Sequence, residues 1–129
     1  LQELKCQDES FPAADFAALG YDAIWHGQKS FNGVAILVDS EAGFAAAEVQ
    51  RGLGVPGPSE GEGEQSRYLE AHVSGPNAPP GGLRIANLYL PNGNPQPGPK
   101  FAYKLAWMAA LRRRMAAIWA EEVAAVVLG

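Results

Sequence analysis

From Arg84 to Leu90 the chain reads R-I-A-N-L-Y-L, an alternation rich in Leu, Ile and Tyr. Such a run suits a pleated, partly buried strand. Pro91 closes it, because proline has no N–H to give to a sheet ladder. Pro95, Pro97 and Pro99 then crowd a loop with Asn92, Gly93, Asn94 and Gly98. That loop is more rigid than a turn requires, as if Tyr89 and Asn92 had to be held in place at a strand end. Beyond it the period changes. Phe101, Leu105, Met108, Leu111, Met115, Ile118 and Trp119 recur at three- and four-residue spacings. The spacing predicts an amphipathic helix from about Lys100 to Glu122, with these side chains as its core face.

The same reading covers the rest of the chain. Residues 1–6 look like the end of a strand whose beginning lies outside the sequence. Pro12 and Gly20 bracket a short helix, Ala13 to Leu19. Tyr21 to Trp25 and Val34 to Val38 read as strands around the polar loop 26–33, and Arg67 to Ser74 alternates as another. Its link to the Arg84 strand is a Pro/Gly-rich turn, so the two are expected to pair antiparallel. Between Asp39 and Ser66 the signal fades. Glycines, Pro56, Pro58 and the acids Glu60, Glu62 and Glu64 suggest an irregular, solvated surface connection. Ala124 to Leu128 reads as a final buried strand. Together these elements make one α/β domain.

Composition narrows the picture modestly. The 129 residues suffice for one core, and 47% of them are hydrophobic, ordinary for a globular domain. Cys6 is the only cysteine, so no internal disulfide forms and a reducing, cytoplasmic setting is the simpler expectation. No apolar run approaches the roughly 18 residues of a membrane span. The formal net charge of -4 argues against bulk electrostatic binding of nucleic acid, though not against a local basic cleft. Lys100, Lys104, Arg112, Arg113 and Arg114 sit on the predicted helix. A basic helix face of this kind is commonly just solvated.

Three motifs, in order, carry a resemblance. L-Q-E-x-K-C at 1–6, W-H-G-Q-K-S-F-N-G-V-A-I at 25–36 and N-L-Y-L-P-N-G-N-P-Q-P-G-P-K-F-A-Y-K-L-A-W at 87–107 resemble the bacterial exonuclease III-type abasic-site endonucleases of the endonuclease/exonuclease/phosphatase superfamily. S-R-Y-L-E-A at 66–71 also fits. The resemblance implies part of a four-layered α/β sandwich of the DNase I-like kind, with mostly antiparallel sheets and flanking helices. It implies a Mg2+-dependent phosphodiesterase (Mn2+ possible) acting as a monomer on double-stranded DNA at abasic sites or 3′ ends. A hard cation bound by carboxylate oxygens and water suits that chemistry.

Residue by residue, the resemblance makes Glu3 the metal-binding glutamate and Tyr89 the tyrosine lying against the scissile phosphate. It makes Asn92 a phosphate donor. Gln28, Lys29, Phe31 and Asn32 lie in the loop that grips the DNA backbone, a contact that positions the duplex without reading it. Lys5, two positions beyond Glu3, is expected on the same side of a strand and in support of the site. Two departures stand out: Phe31 replaces a tyrosine and Leu4 a threonine. His26 and His72 match no catalytic position.

The family's first strand, its G-D-F-N motif, its catalytic histidine and its second sheet are expected to lie outside residues 1–129. The chain alone is then expected to be inactive and poorly stable. A competing reading is a non-catalytic module that binds nucleic acid or protein through the basic helix 100–114. A third keeps the superfamily but takes a phosphoinositide or another small phosphodiester.

Overall fold

The computed structural model describes all of residues 1–129. Seven strands, β1 (Gln2–Leu4), β2 (Tyr21–His26), β3 (Gly33–Asp39), β4 (Ala45–Arg51), β5 (Tyr68–Ser74), β6 (Leu83–Leu88) and β7 (Ala125–Leu128), form two sheets. One is antiparallel in the order β1-β3-β2; the other runs β4-β5-β6-β7, antiparallel except for the parallel β6–β7 pair. Helix α1 (Ala13–Ala18) lies against β2, and helix α2 (Pro99–Ala120) connects β6 to β7. No helix is long and apolar enough to cross a membrane.

Strand alternation explains the layering. On β5, Leu69 and Ala71 face one way and meet Val34 and Ile36 of β3, forming the core between the sheets. Tyr68 faces the other way and packs with Ala86, Leu88, Tyr103 and Trp107 in the core beneath α2. On the far side, Phe11 stacks on Trp25 of β2 at 4.6 Å and on Phe16 of α1 at 5.5 Å. The order is therefore helix, sheet, sheet, helix. The expectation that the second sheet lies elsewhere is overturned: both sheets are built from these residues and already bury one another.

A buried carboxylate fastens α2 to its sheet. Glu70 has no exposed surface and accepts from Arg114 Nε (2.7 Å), Arg114 Nη2 (2.6 Å), Arg84 Nη1 (2.6 Å) and the Tyr68 hydroxyl (2.7 Å). Arg84 Nη2 also donates to Glu121 at 2.9 Å, just past the helix end. A buried charge is tolerable only when paired and fully hydrogen-bonded, and here both carboxylate oxygens are.

Three expectations need correction. Helix α2 exists, but its buried residues are Tyr103, Trp107, Ala110 and Ile118. Leu105, Met108 and Trp119 are exposed, Trp119 by 87%. The true face runs 103, 107, 110, 114, 118, and the polar member Arg114 disguised it: its partner Glu70 comes from a strand 44 residues away. Second, the supposed irregular segment contains β4, an edge strand. Its A-A-A-E-V-Q-R sequence alternates weakly because little of it is buried. Glu64 is exposed, as read, and also accepts from the amides of Leu53 and Gly54, while Leu53 and Val55 pack beneath α2. Third, β7 is apolar but exposed throughout, and a groove of about 600 Å³ separates it from α2.

The Glu70 cluster makes a pH prediction. Burial by itself would raise the Glu70 pKa, but the hydrogen bonds from Arg114, Arg84 and Tyr68 outweigh it and hold the carboxyl below its ordinary 4.5. A depressed pKa contributes stability that is present above 4.5 and lost as pH falls through the folded value. The melting temperature should therefore drop on acidification below that point, with a shallower drop in Glu70→Gln. Glu70→Ala should cost about 3 kcal/mol or more at neutral pH, because it leaves two arginines facing an emptied site. Denaturant melts of the three proteins check both statements.

Candidate functional site

The Pro-rich loop, the start of α2 and the start of β5 enclose a polar cavity of about 210 Å³. Arg67, Asn92, Asn94, Lys100 and Tyr103 are among its nine lining residues. Pro91 and Gly93 are buried, which packs the loop down while Asn92 and Asn94 stay exposed. Gly93 adopts φ +80°, a left-handed conformation that side chains disfavour. Asn94 Nδ2 donates to Asn92 Oδ1 at 2.7 Å, which orients the Asn92 amide and leaves its own N–H groups available. Lys104 Nζ reaches the Asn92 carbonyl at 3.4 Å.

Arg67 connects this cavity to Tyr89. Its guanidinium carbon lies 5.2 Å from the Tyr89 ring centroid, and Nη1 donates to the Tyr89 carbonyl at 3.2 Å. The Tyr89 amide returns a hydrogen bond to the Arg67 carbonyl at 2.8 Å, so pairing continues past the end of β6. Burial lowers the Arg67 pKa, with Tyr103 and Tyr89 pulling the other way; the group remains cationic but has less water around it than a surface arginine. Sequence reasoning missed Arg67 and Lys100 as site residues. Their signal was weak: an arginine opening a strand and a lysine opening a helix both have ordinary structural uses.

The loop between β2 and β3 is tied to the same place. Gln28 Oε1 accepts from the Ser66 amide at 2.6 Å, and Ser66 Oγ donates to the Gly27 carbonyl at 2.9 Å. Ser66 thus joins the loop to Arg67, one residue on. Gly27 passes so close to residues 6–8 that an added Cβ would lie 2.4 Å from the Cys6 carbonyl oxygen. Lys29 and Phe31 are exposed, while Asn32 is half-buried at φ +81°. Lys5 Nζ lies 5.2 Å from the Phe31 ring centroid, so two of the expected DNA-facing residues meet in a cation–π contact.

Glu3 does not follow simple strand alternation. Gln2 pairs with Val34 and Leu4 with Gly33, so Glu3 is the extra residue of a bulge, at φ +57°. Lys5 lies beyond the end of β1. The expectation that Glu3 and Lys5 share a strand face therefore fails, because the bulge breaks the alternation on which it rests. Asn87, buried on β6 two residues before Tyr89, ties β1 to that strand. Its Nδ2 donates to the carbonyls of Leu1 (2.7 Å) and Ala35 (2.9 Å), and its Oδ1 accepts from Gln2 Nε2 at 3.2 Å.

Glu3 is exposed on its bulge, which suits a carboxylate that shares a Mg2+ with water and phosphate oxygens. No group of three or more His, Cys, Asp or Glu side chains comes together in the chain, so these residues do not complete a metal site. The two histidines stand apart. His26 is half-buried, its pKa lowered by burial and by Arg51, and His72 Nε2 lies 2.7 Å from the Gly81 carbonyl.

The chain is similar to known proteins in both sequence and fold. No protein-family model matches the chain. It is 36% identical over 93 residues, 72% of its length, to exodeoxyribonuclease III of Haemophilus influenzae, and spans 31% of that protein. The fold matches a 3′-5′ exonuclease (NExo) from Neisseria meningitidis with a TM-score of 0.74 and 32% identity, over 98% of this chain and 44% of that one. An AP endonuclease from Archaeoglobus fulgidus matches with a TM-score of 0.67 and 31% identity, over 87% and 37%. A Neisseria NExo variant described as a 3′ phosphatase bound to product DNA hairpin matches with 0.64 and 36%, over 90% and 41%.

Loop order at Asn92 is the local prediction. Gly93→Ala should destabilise the protein by about 1 kcal/mol, because alanine resists the left-handed conformation. Amide exchange at residues 92–94 should rise more than in the sheets. An unchanged exchange pattern would mean that the loop does not need Gly93.

Proposed function

Because the chain is a homologue of exodeoxyribonuclease III, we propose that it forms the phosphate-facing side of a DNA-repair phosphodiesterase. The substrate in this reading is double-stranded DNA carrying an abasic site or a 3′ end, and the complete enzyme works as a monomer. The observation that supports it best is the convergence of Tyr89, Asn92, Lys100 and Arg67 at the end of β6, where Arg67 touches the tyrosine and lines the cavity.

Each residue has a task set by its chemistry. The Tyr89 phenol approaches the scissile phosphate, with the Arg67 guanidinium held against its ring. The oriented Asn92 amide donates to a non-bridging oxygen. Gln28, Lys29, Phe31, Asn32 and Lys5 hold the backbone of the duplex, Gln28 chiefly by pinning its loop to Ser66. Glu3 is the carboxylate that would hold Mg2+, or Mn2+, and the bound cation would neutralise charge on the phosphate. We assign no residue of this chain to activating the attacking water. The 129 residues alone are therefore expected to be catalytically silent, and the chain spans about a third of the curated relative it matches.

The basic-helix alternative loses much of its footing. Arg114 is committed to Glu70, and Lys100 belongs to the cavity, which leaves mainly Arg112 and Arg113 free on the surface.

The test is Mg2+-dependent cleavage of a duplex with one abasic site, by this chain beside its Glu3→Gln variant. We expect no cleavage by either. Cleavage by the parent that disappears in Glu3→Gln would support the metal role and overturn the claim that the chain is silent alone. Cleavage that survives in Glu3→Gln would overturn the role of Glu3.

A further inference from the structure

Asparagine loses its side-chain amide when the backbone nitrogen of the next residue attacks Cγ. That nitrogen must be free of hydrogen bonds, unhindered by a side chain and able to give up a proton. Four of the five asparagines fail one of these conditions. Asn94 precedes Pro95, whose nitrogen carries no hydrogen. The nitrogen after Asn77 belongs to Ala78 and donates to the Gly75 carbonyl at 3.1 Å. Asn87 is buried in β6 with both ends of its amide hydrogen-bonded. Asn32 does precede a glycine, but Gly33 is buried in β3 opposite Leu4, so the attacking nitrogen is held in a paired strand.

Asn92 meets all three. Its side chain is exposed. The Gly93 nitrogen donates no hydrogen bond, and glycine has no Cβ to obstruct the approach. Two neighbours also polarise the reacting groups. Lys104 Nζ lies 3.4 Å from the Asn92 carbonyl oxygen, on the peptide that includes the Gly93 nitrogen. A cation there draws electron density from the peptide and favours loss of its proton. The Lys104 stem lies over Gly93, where an added Cβ would be 2.7 Å from its Cδ, so the ammonium is held beside this peptide. On the other side, Asn94 Nδ2 donates to Asn92 Oδ1 at 2.7 Å. That oxygen gains negative charge when Cγ is attacked, and a donor already in place stabilises it. Asn92 Nδ2, the group that departs, makes no hydrogen bond that would hold it.

We propose that Asn92 is a deamidation site, favoured over Asn32 by Lys104 and Asn94. The Gly93 nitrogen bonds to Cγ, and its proton passes to the departing amide, which leaves as ammonia. The cyclic imide then takes up water and opens to aspartate or isoaspartate, with no change of oxidation state. The product puts a carboxylate where a neutral donor stood, and isoaspartate also lengthens the backbone. The consequence for DNA rests on the phosphate-facing role proposed for Asn92: a carboxylate repels a phosphate to which the amide would donate.

Peptide mapping by mass spectrometry, after the folded chain has stood at mildly alkaline pH, tests this. Asn92 should convert roughly tenfold faster than Asn32. The difference should vanish in urea, where both are unfolded Asn-Gly sequences. Lys104→Met and Asn94→Ala should each slow Asn92 severalfold in the folded chain. Conversion at Asn92 no faster than at Asn32, or equal rates in wild type and both variants, overturns the proposal. Anion exchange separates the converted protein, whose affinity for a duplex should fall about tenfold, as in Asn92→Asp. Conversion with duplex affinity unchanged, or with no duplex binding by either form, keeps the deamidation site and removes the phosphate role of Asn92.

Discussion

The pairing of Glu70 with Arg84 and Arg114 is the constraint on which the rest depends. It joins β5, β6 and α2 through one buried carboxylate, with Tyr68 taking a remaining lone pair. An apolar contact would let the helix slide along the sheet, whereas a two-pronged arginine bond admits one register. That register places Tyr103 and Trp107 on Tyr68 and Leu88. It also sets where α2 begins, and so where Lys100 stands relative to Asn92. The candidate site is thus positioned by a charge cluster that takes no part in it.

A second set of polar ties joins the two sheets. Asn87 holds β1 to β6 from within the core, and Ser66 holds the β2–β3 loop to the start of β5. Both sit next to residues of the site: Asn87 two before Tyr89, Ser66 one before Arg67. Buried polar groups with complete hydrogen bonding fix relative placement better than apolar contacts do. The bulge at Glu3 and the left-handed backbone at Asn32 fall in the same region. Strained backbone gathered around a proposed site suits a surface shaped for a ligand.

Much of this was legible in the residues. Alternation located β5 and β6, a short apolar run located β3, β2 was read as a strand beside it, and the turn at 75–82 gave the antiparallel pairing of β5 with β6. The motifs named the relatives, and the run N-L-Y-L-P-N-G ends a strand, β6, as read. Failures came where a partner distant in sequence decided the outcome. Arg114 sits in the core face of α2 because of Glu70, so a pattern built on apolar residues found only part of that face: Leu111, Met115 and Ile118 pack inward, while Leu105, Met108 and Trp119 are exposed. Strand β4 was invisible because an edge strand buries too little to show a period. The cavity residues Arg67, Lys100 and Tyr103 are spread over 36 residues and converge only once the helix has docked.

Duplex binding under two sets of charge changes is the most direct test of the central claim, that DNA phosphate meets the end of β6 and not the outer face of α2. Affinity of the chain for a short duplex should fall steeply with salt, as expected when lysines and arginines displace counterions. Arg67→Gln should weaken it roughly tenfold, and the pair Arg112→Gln and Arg113→Gln should leave it nearly unchanged. The reverse, binding indifferent to Arg67 and abolished by the changes at Arg112 and Arg113, would contradict the account. DNA contact would then belong to the exposed face of the helix.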